Sequence, residues 1–121
     1  MSQSQDKRCI SLKSTGDLSS SQYLLVQADT NNDDSVVIGT LDCVVIGSVE
    51  NKPAALTAAS VAYAGIVKVV LGDTVTRGGL VVSNASGQAI PKASNHNVFG
   101  LALQSGVVNQ VIDVLVMRFY D

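Results

Sequence analysis

A chain of 121 residues, 46% hydrophobic and 15% charged, suits one domain with one core, and a second core is not expected at this length. The net charge of −2 and the eight Lys and Arg, scattered singly apart from Lys7-Arg8, disfavour nucleic-acid binding, which needs a concentrated cationic footprint. Charge this scarce, against roughly a quarter of the residues in an ordinary soluble domain, is too little to coat a monomer, so apolar surface is expected to face another subunit.

The only Glu is Glu50 and there is no Trp, while Val, Ile, Ser, Thr, Gly and Asn abound; this composition favours strands and turns over long helices. No apolar run reaches the ~18 residues that a membrane helix needs. The polar start MSQSQDKRC has no secretory apolar region, so a cytosol-like compartment is expected.

In chain order, Met1 to Ser20 is polar apart from Ile10, Leu12 and Leu18, and is expected to be an extended arm leading into a domain over residues 21–121. Gln22 to Ala28 has the alternation of a strand, and Asp29 to Asp34, DTNNDD, is a polar turn. Val36 to Thr40 and Cys43 to Ser48 are β-branched runs. Asn51 to Ala59 could open a helix at Pro53, but a loop or one short turn is expected, followed by strands at Ser60 to Ala64 and Val67 to Leu71. Gly72 to Gly79 turns the chain into Leu80 to Ser83, and Asn84 to Gly87 has the chemistry of a hairpin turn that returns through Gln88 to Ile90. Pro91 to Asn97 is a polar connection, and Val98 to Gln104 and Gln110 to Phe119 close the domain. The last strand is apolar on both sides apart from Asp113, which implies that both of its faces are covered.

An internal echo runs through this pattern. One interval separates Gly47 from Gly100 and Val61 from Val114, and Val45-Ile46 answers Val98-Phe99; at a slightly longer interval Tyr23-Leu24-Leu25 answers Leu80-Val81-Val82. The expected fold is therefore all-β, a small barrel or sandwich built from two similar β units.

Candidate chemistry is sparse. Asp29, Asn31 and Asp33 match the first three ligand positions of a calcium loop, but Asp34 stands where Gly is needed and Thr40 where a bidentate Glu is needed, so a solvated turn is expected and no metal. His96 could be drawn as the partner of a Cys43 nucleophile, yet Cys43 lies among apolar residues that raise a thiol pKa, and no activating motif marks it; no catalytic residue is assigned. Cys9 and Cys43 lack metal-type spacing and are expected to be a terminal thiol and a small core hydrophobe. Gly72, Gly78 and Gly79 fit neither phosphate-binding fingerprint and are turn glycines, and the Asn84-Ala85-Ser86 sequon has no secretory context.

Two resemblances bear on function. The phrase VLGDTVTRGGLVV is similar to the Gly-Asp turn of biotinyl and lipoyl carrier domains, which would imply a carrier or ligand-binding module with a modified lysine, Lys68 or Lys92; the hairpin tip Ser83 to Gly87 has no lysine, however. A second resemblance spans residues 17–116. Asp17-Leu18-Ser19, Gln22 to Val26, Val45 to Val49, Asn51 to Ala55, Ala64 to Val69, Gly72 to Val75, Gly79-Leu80-Val81, Gly87-Gln88-Ala89, Val98 to Leu103 and Val111 to Leu115 resemble, in order, the capsid cement or head decoration proteins of tailed bacteriophages.

That resemblance implies a β-barrel or sandwich without enzymatic activity or cofactor. It also implies a homo-oligomer, often a trimer, on the outer capsid surface of the virion, made in the host cytoplasm and bound to the major capsid protein. The acidic DTNNDD turn and the Phe119-Tyr120 tail depart from the family pattern. Interface residues are expected at Arg8, Ile10 and Leu12 in the arm, Arg77 at the turn, and Phe119 and Tyr120 at the end, because Arg and aromatic side chains most often carry interface energy.

Overall fold

The structure is a computed structural model that describes residues 7–41, 43–92 and 97–120, with Tyr120 described in its backbone alone. The described residues form ten strands and no helix: β1 (Arg8–Ser14), β2 (Leu25–Ala28), β3 (Ser35–Ile38), β4 (Gly47–Val49), β5 (Ala58–Ala64), β6 (Ile66–Val70), β7 (Leu80–Ser83), β8 (Ala89–Pro91), β9 (Asn97–Ala102) and β10 (Val111–Tyr120). The all-β expectation holds. β1 to β5 close into a barrel in the order β1-β3-β2-β4-β5, and β6 to β10 form a five-stranded sheet in the order β6-β10-β9-β7-β8.

These are two copies of one unit. Around the barrel, β1 pairs with β5, β5 with β4, β4 with β2 and β2 with β3; in the sheet, β6 pairs with β10, β10 with β9, β9 with β7 and β7 with β8. The registers match residue by residue. Val49 opposite Val61 is answered by Ala102 opposite Val114, and Ser48 opposite Ala62 by Leu101 opposite Leu115. The barrel closes through a parallel pairing that sets Ser14 beside Val36, and the sheet makes the equivalent parallel bridge between Leu71 and Ala89. Irregular segments agree as well: Leu18 N donates to Pro53 O as Val75 N donates to Gly106 O, and Leu56 N to Ser14 O as Asn109 N to Leu71 O.

The echo of Gly47 with Gly100 is thus a structural equivalence. Both sit where a neighbouring strand passes too close for a side chain: a Cβ at Gly47 would run into the Ala62 carbonyl, and one at Gly100 into that of Leu115, its counterpart. The match of Tyr23 with Leu80 is corrected: Leu25 answers Leu80, since each pairs with the same position of its neighbour, and Tyr23 answers Gly78. A tight turn sets that register, which similarity of apolar residues alone does not reveal.

Two apolar clusters fill the fold where one core is expected. Val26, Val36, Val49, Ala59 and Val61, all fully buried, line the first barrel together with Leu18. The second cluster joins Val67, Val69, Leu71, Val81, Ala89, Phe99, Ala102, Ile112 and Val114 of the second unit with Leu25, Val45 and Ala62 of the first. The outer side of the first barrel therefore serves as a wall of the second core. Backbone bonds seal the joint: Val70 N donates to Tyr23 O and Leu25 N to Gly87 O, while the Ser48 hydroxyl donates to Lys68 O at 2.6 Å.

The expected arm differs most. Arg8–Ser14 is β1, hydrogen-bonded between β3 and β5, and Leu18 is 4% exposed. These residues look polar in sequence because most of β1 is exposed and only Ser14 is fully buried in it. Cys43 to Ile46 precede β4 as irregular chain where a strand is expected, and Asn51 to Thr57 is the expected loop.

Candidate interaction surface

β1 carries three of the residues expected at an interface. Arg8 is exposed at its start, beside Ala64 of β5; Ile10 lies opposite Val61 and is 39% exposed; Leu12 packs against the first core. The repeat explains Ile10 and Leu12, because they hold the register positions of the buried Val67 and Val69. Ahead of β1, Lys7 forms an ion pair with Glu50, and that hydrogen bond raises the lysine pKa above its ordinary value.

At the end of β10 a bulge between Val116 and Phe119 turns Arg118 onto the first unit. Its guanidinium donates to the carbonyl of Ile46 and, at 2.8 Å, to that of Tyr63, and lies 5.7 Å from the centre of the Phe99 ring. Partial burial lowers the Arg118 pKa. Around it Val44, Val45, Asn97, Val98, Phe99 and Phe119 line a small hollow of about 190 Å³. Val44 at 71% and Phe119 at 41% are its exposed apolar rim. Tyr120 continues β10 opposite Asn97.

Arg77 lines a different depression, with Leu103, Gln104, Ser105, Gln110, Val111 and Ile112. Its backbone N–H donates to the Ser105 hydroxyl at 2.9 Å. Leu103, Val107, Val108 and Val111 are 40 to 52% exposed, an apolar margin that sequence reasoning missed. The repeat is the signal that finds it, since the equivalent loop of the first unit carries Glu50, Ala54, Ala55 and Ala58 at those places.

The acidic turn is structural. The Asp29 carboxylate accepts from the Thr15 hydroxyl at 2.5 Å, the Asn32 amide at 2.8 Å and the Asn31 N–H at 2.9 Å, and these bonds lower its pKa. Asn84 does the same work in the second unit, accepting from the N–H groups of Ser86 and Gln88, each at 2.9 Å. Among the described residues, no three His, Cys, Asp or Glu side chains converge to hold a metal ion. His96 lies outside the described residues; Cys9 is exposed on β1, Cys43 packs against the second core, and neither is in a disulfide. Lys68, one of two lysines a carrier would modify, sits mid-strand in β6 with its ammonium 3.2 Å from Asp113.

The architecture is that of a tandem β protein whose two five-stranded units share a core. No known protein family matches the chain, and no curated protein matches it in sequence. Among solved structures, the fold is similar to the N base of the head fiber gp8.5 of bacteriophage phi29, with a TM-score of 0.77 over 95% of this chain and 98% of that one. Sequence identity is 14%, so the likeness is one of fold.

Proposed function

We propose that this protein is a noncatalytic structural component of a phage head. It decorates and cements the outer capsid surface by binding major capsid subunits, and it does so as a homo-oligomer, a trimer. The observation that carries this reading is the fold shared end to end with a head-fiber base, which coincides with the order of motifs that resembles head decoration proteins. Scarce charge and exposed Val44, Val107, Val108, Val111 and Phe119 agree with a surface that docks on protein. A cement protein works by mass action: it binds the expanded shell better than the broken one, and many weak contacts sum over many copies.

The test is co-sedimentation of the purified protein with emptied, expanded phage heads, followed by thermal disruption of the loaded heads. Saturable binding and a raised disruption temperature are expected. No binding to expanded heads at concentrations that saturate known decoration proteins would overturn the reading.

A further inference from the structure

The two units offer an internal comparison of one surface in two settings. Across the outer side of the first barrel, Leu25, Ser48, Ala62 and Cys9 stand in one cross-strand row. Its first three members are fully buried, because the second unit packs on them. The same register in the second unit aligns Leu80, Leu101, Leu115 and Ile66, four large aliphatic side chains side by side, all left partly exposed. Beside this row the Lys68–Asp113 pair sets opposite charges 3.2 Å apart, so the charges next to it compensate each other. A unit of this fold tolerates Ser and Ala at the middle positions, as Ser48 and Ala62 show, so the leucines there are not demanded by the barrel itself.

We propose that Leu80, Leu101, Leu115 and Ile66 form the face on which copies of this chain meet. The proposal rests on the reading above for the existence of an oligomer, and adds the surface that makes it. Within the chain, this face of the fold already packs against another copy of the same unit. A further copy cannot be received as the second unit is: the barrel of the first unit is closed by the pairing of Lys13 with Ser35 and Ser14 with Val36. The second core is already walled by Leu25, Val45 and Ala62. The row therefore meets the same row of neighbouring copies around a symmetry axis, which gives a closed assembly and no open filament.

Light scattering on the size-exclusion peak of the full chain tests this. The wild type is expected at a small whole multiple of 12.6 kDa, and Leu101→Lys and Leu115→Lys each at the mass of one chain with an unchanged far-ultraviolet circular dichroism spectrum. Leu101→Ser, which installs the residue that Ser48 provides in the first unit, keeps the fold and weakens association at least tenfold. Lys52→Glu, in the exposed loop between β4 and β5, leaves the mass unchanged. A wild-type monomer, or an oligomer that survives Leu101→Lys and Leu115→Lys intact, overturns the face even if the protein binds heads. An oligomer split by these substitutions supports it even if no head is bound.

Discussion

Leu56 and Asn109 occupy the same place in the two units, with φ of 64° and 72°, and donate their backbone N–H groups to the carbonyls of Ser14, the last residue of β1, and Leu71, the residue after β6. Asn enters this left-handed region readily, whereas Leu is forced into it by the turn. Leu56 is 65% exposed and has little packing to lose. Leu56→Asn is accordingly expected to stabilise the protein by about 1 kcal/mol, the lower end of the left-handed cost, seen as a higher urea midpoint. Asp29 supplies a pH signature. Hydrogen bonds from Thr15, then Asn32 and Asn31, hold its carboxyl below the ordinary carboxylate range. A group depressed in the folded state stabilises fully above its unfolded pKa, and that contribution is lost as pH falls through the folded value. Asp29→Asn is thus expected to lower the urea midpoint at neutral pH, and the gap from the wild type should narrow as pH drops below the ordinary carboxylate range. A gap that stays constant through acid titration would remove the carboxylate from this role.

At the scale of elements, β10 ties the molecule together. Its body lies between β6 and β9, Val116 N donates to Gly65 O, and beyond its bulge Arg118 reaches two carbonyls of the first unit. Arg118→Ala is expected to cost about 1.5–3 kcal/mol, the range for hydrogen bonds to a charged group, read from thermal or urea unfolding; Arg118→Lys should recover only part of it, because an ammonium lacks the planar face that the guanidinium sets beside the Phe99 ring while one of its nitrogens bonds both carbonyls. Much of this level was legible in the chain. β2, β3, β5, β6, β7, β9 and β10 fall on segments whose alternation or apolar runs read as strands, and the turns at Asp29 and Asn84 follow from their side chains. β1 was not legible, since a strand that shows most of its side chains to solvent has the composition of an arm. Cys43 to Ile46 failed in the opposite sense: an apolar run there covers Phe99 and Arg118 as loop, and burial without ladder partners looks the same in sequence as a strand.

The whole molecule depends on how its two units differ. The equivalence of Gly47 with Gly100 was readable, but which unit covers which was not, because that follows from the joint at Tyr23, Leu25 and Ser48 and from no local pattern. For the same reason the aliphatic row of the second unit escaped notice: Leu80, Leu101, Leu115 and Ile66 lie on four strands that only the register brings side by side. The expected interface residues Arg8, Arg77 and Phe119 are exposed, whereas Leu12 packs inward. Ala62 and Leu115 isolate the asymmetry, being one position of the fold met twice. Ala62 is fully buried in the shared core, and Leu115 is partly open. Ala62→Lys should bury an unpaired charge between the units and destabilise the chain by about 3 kcal/mol or more. Leu115→Lys should cost under about 1 kcal/mol, as surface substitutions do, when unfolding is followed at a dilution where subunits are apart. Equal costs at the two sites would mean that the units do not share a core, and the covered row of the first unit would then cease to be a guide to the open row of the second.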